Sequence, residues 1–209
     1  MKITRIPCGN GNCFCVEDGD NAILVDTSCA EYRDKILAVC KPKNIQLIVL
    51  THGHFDHIQN AAFLSDKLNA PIAMHRDDIA LIKDKLAEPI MAHTLLGKVI
   101  MKVSQKGFDQ AKVEQFEPGI FLEDSYSLSK YGVSATIIGL PGHTKGSIGV
   151  VVGNHDIIVG DALMNMVHPT KSPLYGNRAL MEQSAAIISA LGDVTVHFGH
   201  GKSVKNRKW

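Results

Sequence analysis

Thr51-His52-Gly53-His54-Phe55-Asp56-His57 gathers three imidazoles and one carboxylate within six residues. The run before it, Ile45-Gln46-Leu47-Ile48-Val49-Leu50, is apolar and β-branched and reads as a buried strand. After it, Ile58, Ala61, Ala62, Phe63, Leu64 and Leu68 recur at helical spacing. The cluster therefore lies at the carboxyl end of a strand, in the turn that enters a helix. Open α/β sheets place their ligands at that end of their strands. Imidazole and carboxylate are borderline-to-hard donors that suit zinc, and also iron, manganese or cobalt.

One short motif cannot fill two coordination spheres, so remote ligands are expected. Three candidates recur in similar settings. His143 follows Ala135-Thr136-Ile137-Ile138-Gly139-Leu140 in the turn Pro141-Gly142-His143-Thr144. Asp161 follows Asp156-Ile157-Ile158-Val159-Gly160, and His200 follows Val194-Thr195-Val196-His197-Phe198-Gly199. Each is a strand-like run, a glycine, and a metal-ligand residue type; glycine lets the chain turn sharply beside a site without a Cβ clash.

This ordered pattern, T-H-x-H-x-D-H with a later His, Asp and His, resembles the metallo-β-lactamase-fold hydrolase superfamily, and among its members the small glyoxalase-II-like ones. The resemblance runs from the first strands to His200. It implies that His52, His54 and His143 hold one metal, that Asp56, His57 and His200 hold a second, and that Asp161 bridges them. Seven donors overfill one tetrahedral site, which supports a count of two divalent ions, zinc first, with iron or manganese as alternatives. Such a pair lowers the pKa of the water between them, and the bridging hydroxide attacks a carbonyl. Asp56 and Asp161 are the candidate catalytic carboxylates, Asp56 either as a ligand alone or also as a proton shuttle. The family places a buried acid where Asp26 stands, under the ligands, to bond a loop or orient a ligand; an ordinary turn residue is the competing reading. Thr144 and Ser147 fall in a G-H-T-x-G-S stretch and are candidates for hydrogen bonds to ligating groups. Lys145 is either exposed or in reach of an anionic substrate, and His168 is a candidate substrate contact or proton donor.

The chain has 209 residues, enough for one compact α/β domain, and 1–209 reads as one unit with no Pro/Gly/Ser linker. With 22 basic and 21 acidic side chains the net charge is +1, which gives no electrostatic reason to expect a nucleic-acid partner. No signal-peptide core and no bilayer-length apolar run is evident, so no membrane partner is expected and the chain reads as cytoplasmic. The expected partner is a small-molecule substrate. Cys8, Cys13, Cys15, Cys29 and Cys40 are odd in number and confined to the first 40 residues, which argues for free thiols. Cys13 and Cys15 read as one face of a strand, with soft-metal chelation as the alternative.

Strands are expected at 2–7, 12–18 and 21–26, then a helix from Tyr32 to Cys40. A strand at 70–74 leads to His75, a helix-start residue or a pocket residue, and a helix near Arg76. From about 83 to 118 the pattern weakens: 92–102 looks helical and 107–117 loop-like. In the resembled family this segment varies and often covers the site. Met91, His93, Leu95, Leu96, Ile100, Met101 and Phe108 would then form an apolar inner face, unless the segment is a plain packing layer. Strands at 119–122, 126–129, 133–139, 148–152 and 156–159, a helix at 177–191, a last strand at 194–198 and a short solvated basic tail complete the chain. Two similar halves of strands and helices predict an α/β (α+β) fold, a four-layer αββα sandwich of two mixed sheets with helices on the outer faces.

Asp161, where zinc lactamases of the Cys-ligand subclass carry Cys, argues against antibiotic degradation. His54 and the absence of a flavin domain argue against di-iron flavoproteins. A thioester or lactone/ester substrate of the glyoxalase-II type remains. The glutathione-binding helical domain of full-length glyoxalase II has no counterpart in the nine residues after His200, so glutathione stays open. The alternatives are a mononuclear-iron persulfide dioxygenase-like enzyme and a phosphodiesterase or nuclease.

Overall fold

A computed structural model describes residues 1–92 and 94–209, leaving aside the side chains of Leu96, Ser104 and Lys106. Its centre is two sheets. The first contains β1 (Lys2–Cys8), β2 (Gly11–Asp18), β3 (Asn21–Val25), β4 (Ile45–Val49), β5 (Ile72–Met74) and β6 (Ile120–Phe121), in that order. β1 to β3 form an antiparallel meander, and β3 to β6 run parallel. The second sheet contains β7 (Ala135–Gly139), β8 (Ile148–Val152), β9 (Asp156–Ile158), β10 (Thr195–His197) and β11 (Val204–Lys205). Here β9 and β10 are parallel and the other neighbours antiparallel.

Alternation along the strands builds the layers. Phe14, Val16, Ile23, Val25, Leu47 and Val49 face one way and pack with Ala135, Ile137, Val150, Val152 and Ile158 of the second sheet. On the opposite face, Cys13, Cys15, Leu24 and Ile48 pack with Ile36 and Cys40 of α1 (Arg33–Cys40) and with Ala61 and Leu64 of α3 (Ala61–Leu68). Ile157, Val159 and Val196 of the second sheet pack outward on Ala185 and Ile188 of a helix at Arg178–Ala190. Helix, sheet, sheet and helix follow one another, the expected sandwich. All five cysteines are free, with Cys13 and Cys15 turned together to the helix side as alternation requires. Among the described residues no helix is long and apolar enough to cross a membrane.

Strand direction decides where the ligand candidates gather. β3 and β4 end at Asp26 and at the 51–57 turn. In the second sheet β7, β9 and β10 share one direction and end near His143, Asp161 and His200. The two rims are stitched by backbone bonds: Ile148 N–H donates to Thr51 O at 2.9 Å and Asn12 N–H to Gly199 O at 2.8 Å.

Several expectations change. The helix after the motif is broken into α2 (Phe55–Ile58) and α3, because Asn60 turns its amide to the carbonyls of Thr27 and Cys29. The helix expected near Arg76 is a 3-10 turn, Arg76–Asp78, followed by α4 (Ile79–Lys83), and His75 accepts the Asp77 N–H at its start. The helix of the variable segment, α5 (Leu95–Gln110), runs into the stretch expected to be a loop. Met91, Leu95, Val99 and Val103 are exposed, so Met91 and Leu95 do not form an inner face. Ile100, Met101 and Phe108 are half-buried, the side of the helix that packs inward. His93 and the Leu96 side chain lie outside the described residues. Residues 126–129 form no strand: left-handed Ser125 and a 3-10 turn at Ser129–Tyr131 leave one isolated bridge, Ser127 to Thr136. The basic side chains of the tail, Lys202, Lys205, Arg207 and Lys208, are exposed as expected, but its backbone is not free. Val204–Lys205 adds an edge strand to β10, and the Trp209 ring meets Phe198 edge-on at 6.0 Å between centroids.

That last contact makes a prediction. Trp209→Ala removes a ring that closes the outer face of the second sheet, and it is expected to cost about 1–2 kcal/mol of stability in urea unfolding. An unchanged midpoint and slope would show that the tail adds nothing to the fold.

Candidate metal centre

The strand ends bring His52, His54, His57, His143, Asp56, Asp161 and His200 together. Three groups of their ligand atoms, His52–His54–His143, His52–His57–Asp161 and Asp56–His57–His200, each lie within 4.8 Å of one another. His143 Nε2 is 3.0 Å from His54 Nδ1, and His57 Nε2 is 3.4 Å from His200 Nε2. Asp161 faces both sides: Oδ2 is 3.6 Å from His143 Nε2 and 3.3 Å from His200 Nε2, and Oδ1 is 3.5 Å from His57 Nε2. Asp56 Oδ2 stands 3.4 Å from His200 Nε2, and its side chain, 30% exposed, is the most open carboxylate of the cluster.

Four of the five rings are oriented from behind. His57 Nδ1 donates to Asp26 Oδ2 at 2.8 Å, His143 Nδ1 to Leu174 O at 2.8 Å, and His200 Nδ1 to Asn10 O at 3.1 Å. His52 Nδ1 lies 3.1 Å from Thr51 Oγ1, whose own proton goes to Asp26 Oδ2 at 2.9 Å. With Nδ1 bonded outward in all four, Nε2 is the nitrogen that each of these rings turns to the cluster, the arrangement that metal ligation needs. Among the described residues, the buried side-chain nitrogens and oxygens without a hydrogen-bond partner are His52 Nε2 and Asp161 Oδ1. A buried polar atom without a partner is costly. Inward ring nitrogens, carboxylates and the two unpartnered atoms fit a divalent cation.

The charges of the cluster point the same way. Burial and the neighbouring imidazoles hold His52 well below the ordinary imidazole range and His54 at about 3. Burial also opposes charge on His57, but Asp161, Asp26 and Asp56 outweigh it and lift the ring to about 9. His200 is likewise lifted against burial by Asp161 and Asp56. Burial disfavours charge on Asp161 and Asp56 too, yet the imidazoles keep both below the usual carboxylate range. In the carboxylate-rich half His57 and His200 are thus raised by the carboxylates around them, and a bound metal ion would supply that positive charge in place of protons.

The fold explains the glycines. A Cβ at Gly199 would come 2.4 Å from Asp161 Oδ1 and 2.8 Å from His57 Cε1. Gly160 has φ +52°, and a Cβ there would meet Thr51 Oγ1 at 2.6 Å. Asp26 is buried in the left-handed region at φ 61°, which turns its carboxylate under the motif. There it holds Thr51 N–H at 2.8 Å as well as His57, both the loop bond and the ring bond considered for it.

Other expected residues fall elsewhere. Thr144 and Ser147 bond each other at 2.7 Å, and Thr144 donates to Asp78, not to a ligand. His168 is exposed, and none of the described hydrogen bonds or ion pairs joins it to the cluster. Lys145 is exposed, with its N–H on Glu88 Oε2 at 3.1 Å. Sequence reasoning missed three supporting side chains. Asn12 donates to Phe198 O and Gly201 O across the His200 turn, Ser172 lies 3.3 Å from His143 Nδ1, and Asp78 sits buried between two ligand loops. None belongs to a local motif; a polar residue beside an otherwise apolar strand, as at Asn12, was the one available signal.

A model of the metallo-beta-lactamase superfamily matches residues 6–202. The chain is 26% identical over 216 residues to the uncharacterized protein ML0493 of Mycobacterium leprae, covering 97% of this chain and 93% of that one. Among solved structures, the BLEG-1 B3 metallo-beta-lactamase superposes with a TM-score of 0.77 at 20% identity, over 98% of this chain and 94% of that one. TTHA1623, in a di-iron-bound form, gives 0.70 at 20% identity with the same coverages. These structural likenesses concern the fold, while the family model covers every candidate metal ligand from His52 to His200. The chain belongs to the metallo-beta-lactamase superfamily.

Proposed function

We propose that the protein is a binuclear metal-dependent hydrolase of small carbonyl substrates, a thioester or a lactone/ester. The observation that carries this reading is the pair of orphaned atoms, His52 Nε2 and Asp161 Oδ1, inside overlapping triads of donors. In this assignment His52, His54 and His143 would hold one ion, Asp56, His57 and His200 would hold the other, and Asp161, which faces both groups, would be shared. Zinc is the ion the donor set suits first; iron remains in view because the related TTHA1623 structure is di-iron-bound.

Bound there, such ions would supply Lewis acidity to the carbonyl and lower the pKa of a water towards neutrality. The chain supplies the rest. Asp26, Leu174 O, Asn10 O and Thr51 Oγ1 fix four imidazoles in one tautomer before substrate arrives, so little reorganisation is needed during reaction. Asp56, the most open carboxylate of the cluster, accepts the proton released from water and passes it to solvent or the leaving group. Phe55 precedes it and meets Phe108 of α5 at 6.0 Å between centroids. Through that contact the variable helix borders the ligand loop, where it shields the site and influences which acyl group enters.

Two measurements test this reading. Protein of known metal content is expected to hold two equivalents per chain and to cleave a member of a panel of thioesters, lactones, β-lactams and phosphodiesters, with thioesters or lactones turned over fastest. His54→Ala and Asp161→Ala are expected to lose metal and at least 100-fold in rate, on the order expected for loss of an essential electrostatic element, while remaining folded by circular dichroism. Full metal and turnover in both variants would refute the ligand assignment. One iron per chain with oxygen consumption would mark a mononuclear dioxygenase instead.

Asp26→Asn tests the support beneath the ligands. The amide keeps the size but turns an NH2 toward donors that need an acceptor. Metal affinity is expected to fall about 10- to 100-fold, read by chelator competition, as for other lost partners of ligating histidines. Wild-type affinity in this variant would show that His57 needs no acid behind it.

A further inference from the structure

The Asp78 carboxylate is buried and belongs to none of the ligand triads. It stands at the start of α4 yet makes no cap bond to that helix. Its oxygens turn away to two other loops. Oδ2 accepts the Gly53 N–H at 2.7 Å and the Thr144 hydroxyl at 2.8 Å, and Oδ1 accepts the Gly146 N–H at 2.7 Å. Gly53 lies between His52 and His54, and Thr144 follows His143. One carboxylate therefore ties together the two loops that carry His52, His54 and His143. None of its described hydrogen bonds reaches Asp56, His57, Asp161 or His200.

The surroundings are cut to fit this junction. A Cβ at Gly53 would come 2.9 Å from Asp78 O, and one at Gly146 would come 2.6 Å from Asp78 Oδ1. Thr144 is itself held, since its N–H donates to Ser147 Oγ at 3.0 Å. Hydrogen bonds to an ionised acceptor are roughly twice as strong as neutral ones, and three of them on one buried group fix loop spacing closely. That spacing sets the 3.0 Å approach of His143 Nε2 to His54 Nδ1. On the other side, His57 and His200 are supported by different groups, Asp26 and Asn10 O.

We propose that Asp78 is a positioning residue that sets the metal affinity of the His52–His54–His143 site selectively, leaving the Asp56–His57–His200 site to its own supports. The proposal rests on the two-metal reading above. Metal-free protein titrated with Zn²⁺ against a chromophoric chelator, and separately with Co²⁺ followed by its visible absorption, tests it. Wild type is expected to bind two equivalents, and His54→Ala identifies the equivalent that belongs to the first site. Asp78→Asn and Asp78→Ala are expected to weaken that same equivalent about 10- to 100-fold and to change its cobalt spectrum, while the other keeps wild-type affinity and spectrum. Thr144→Val, which removes one of the three donors, is expected to weaken it by a smaller factor. It also provides the measurement should the Asp78 variants fail to fold. Wild type taking up two ions, with variants that match it or lose both equivalents together, overturns the proposal alone. Wild type taking up a single ion overturns the two-metal reading and this proposal with it.

Discussion

Imidazole lone pairs and carboxylates from both sheets converge in a small, mostly buried space, and like-natured donors do not gather there without a positive charge to answer them. The arrangement of this protein follows from that constraint. The donors must come from several strands, because one turn cannot surround a cation. The strands must end on one rim, because only then do distant residues meet. The parallel run β3 to β6, and the shared direction of β7, β9 and β10, satisfy that requirement. The apolar alternation that packs the sheets is the scaffold for it.

A second layer of polar groups holds the first in place. Asp26 joins the motif loop to His57, Asp78 joins it to the His143 loop, Asn60 anchors the 27–29 turn, and Asn12 anchors the turn carrying His200. Each is buried and each spans segments far apart in the chain. Desolvating such groups is unfavourable, and they are tolerated because nearly all their donors and acceptors are paired. Among the described residues, the buried side-chain nitrogens and oxygens left without a hydrogen-bond partner belong to the candidate ligands themselves, His52 Nε2 and Asp161 Oδ1.

Legibility in the sequence follows the range of the interactions. The motif and its flanking strand were readable because everything that defines them lies within a dozen residues. The strand–glycine–ligand pattern was readable three times over, because a chain that turns against this cluster of side chains leaves no room for a Cβ, as Gly199 shows beside Asp161 and His57. The two-sheet sandwich followed from alternation and spacing. What was not legible depends on remote partners. Asp78 belongs to no local motif, and only the folded chain brings Gly53 and Gly146 to it. The tail looked solvated because its charges hide the edge pairing of Val204 and the Trp209 contact. The face of α5 was misjudged because a helix with apolar residues on several sides does not reveal which side packs; Leu95, Val99 and Val103 face outward.

The central claim is that this rim holds two cations with Asp161 between them. Anomalous diffraction from crystals grown with Zn²⁺, recorded on both sides of the metal edge, tests it most directly. The account predicts two anomalous peaks, one within the His52–His54–His143 triad and one within the Asp56–His57–His200 triad, with Asp161 touching both. A single peak, or peaks away from these side chains, would contradict it.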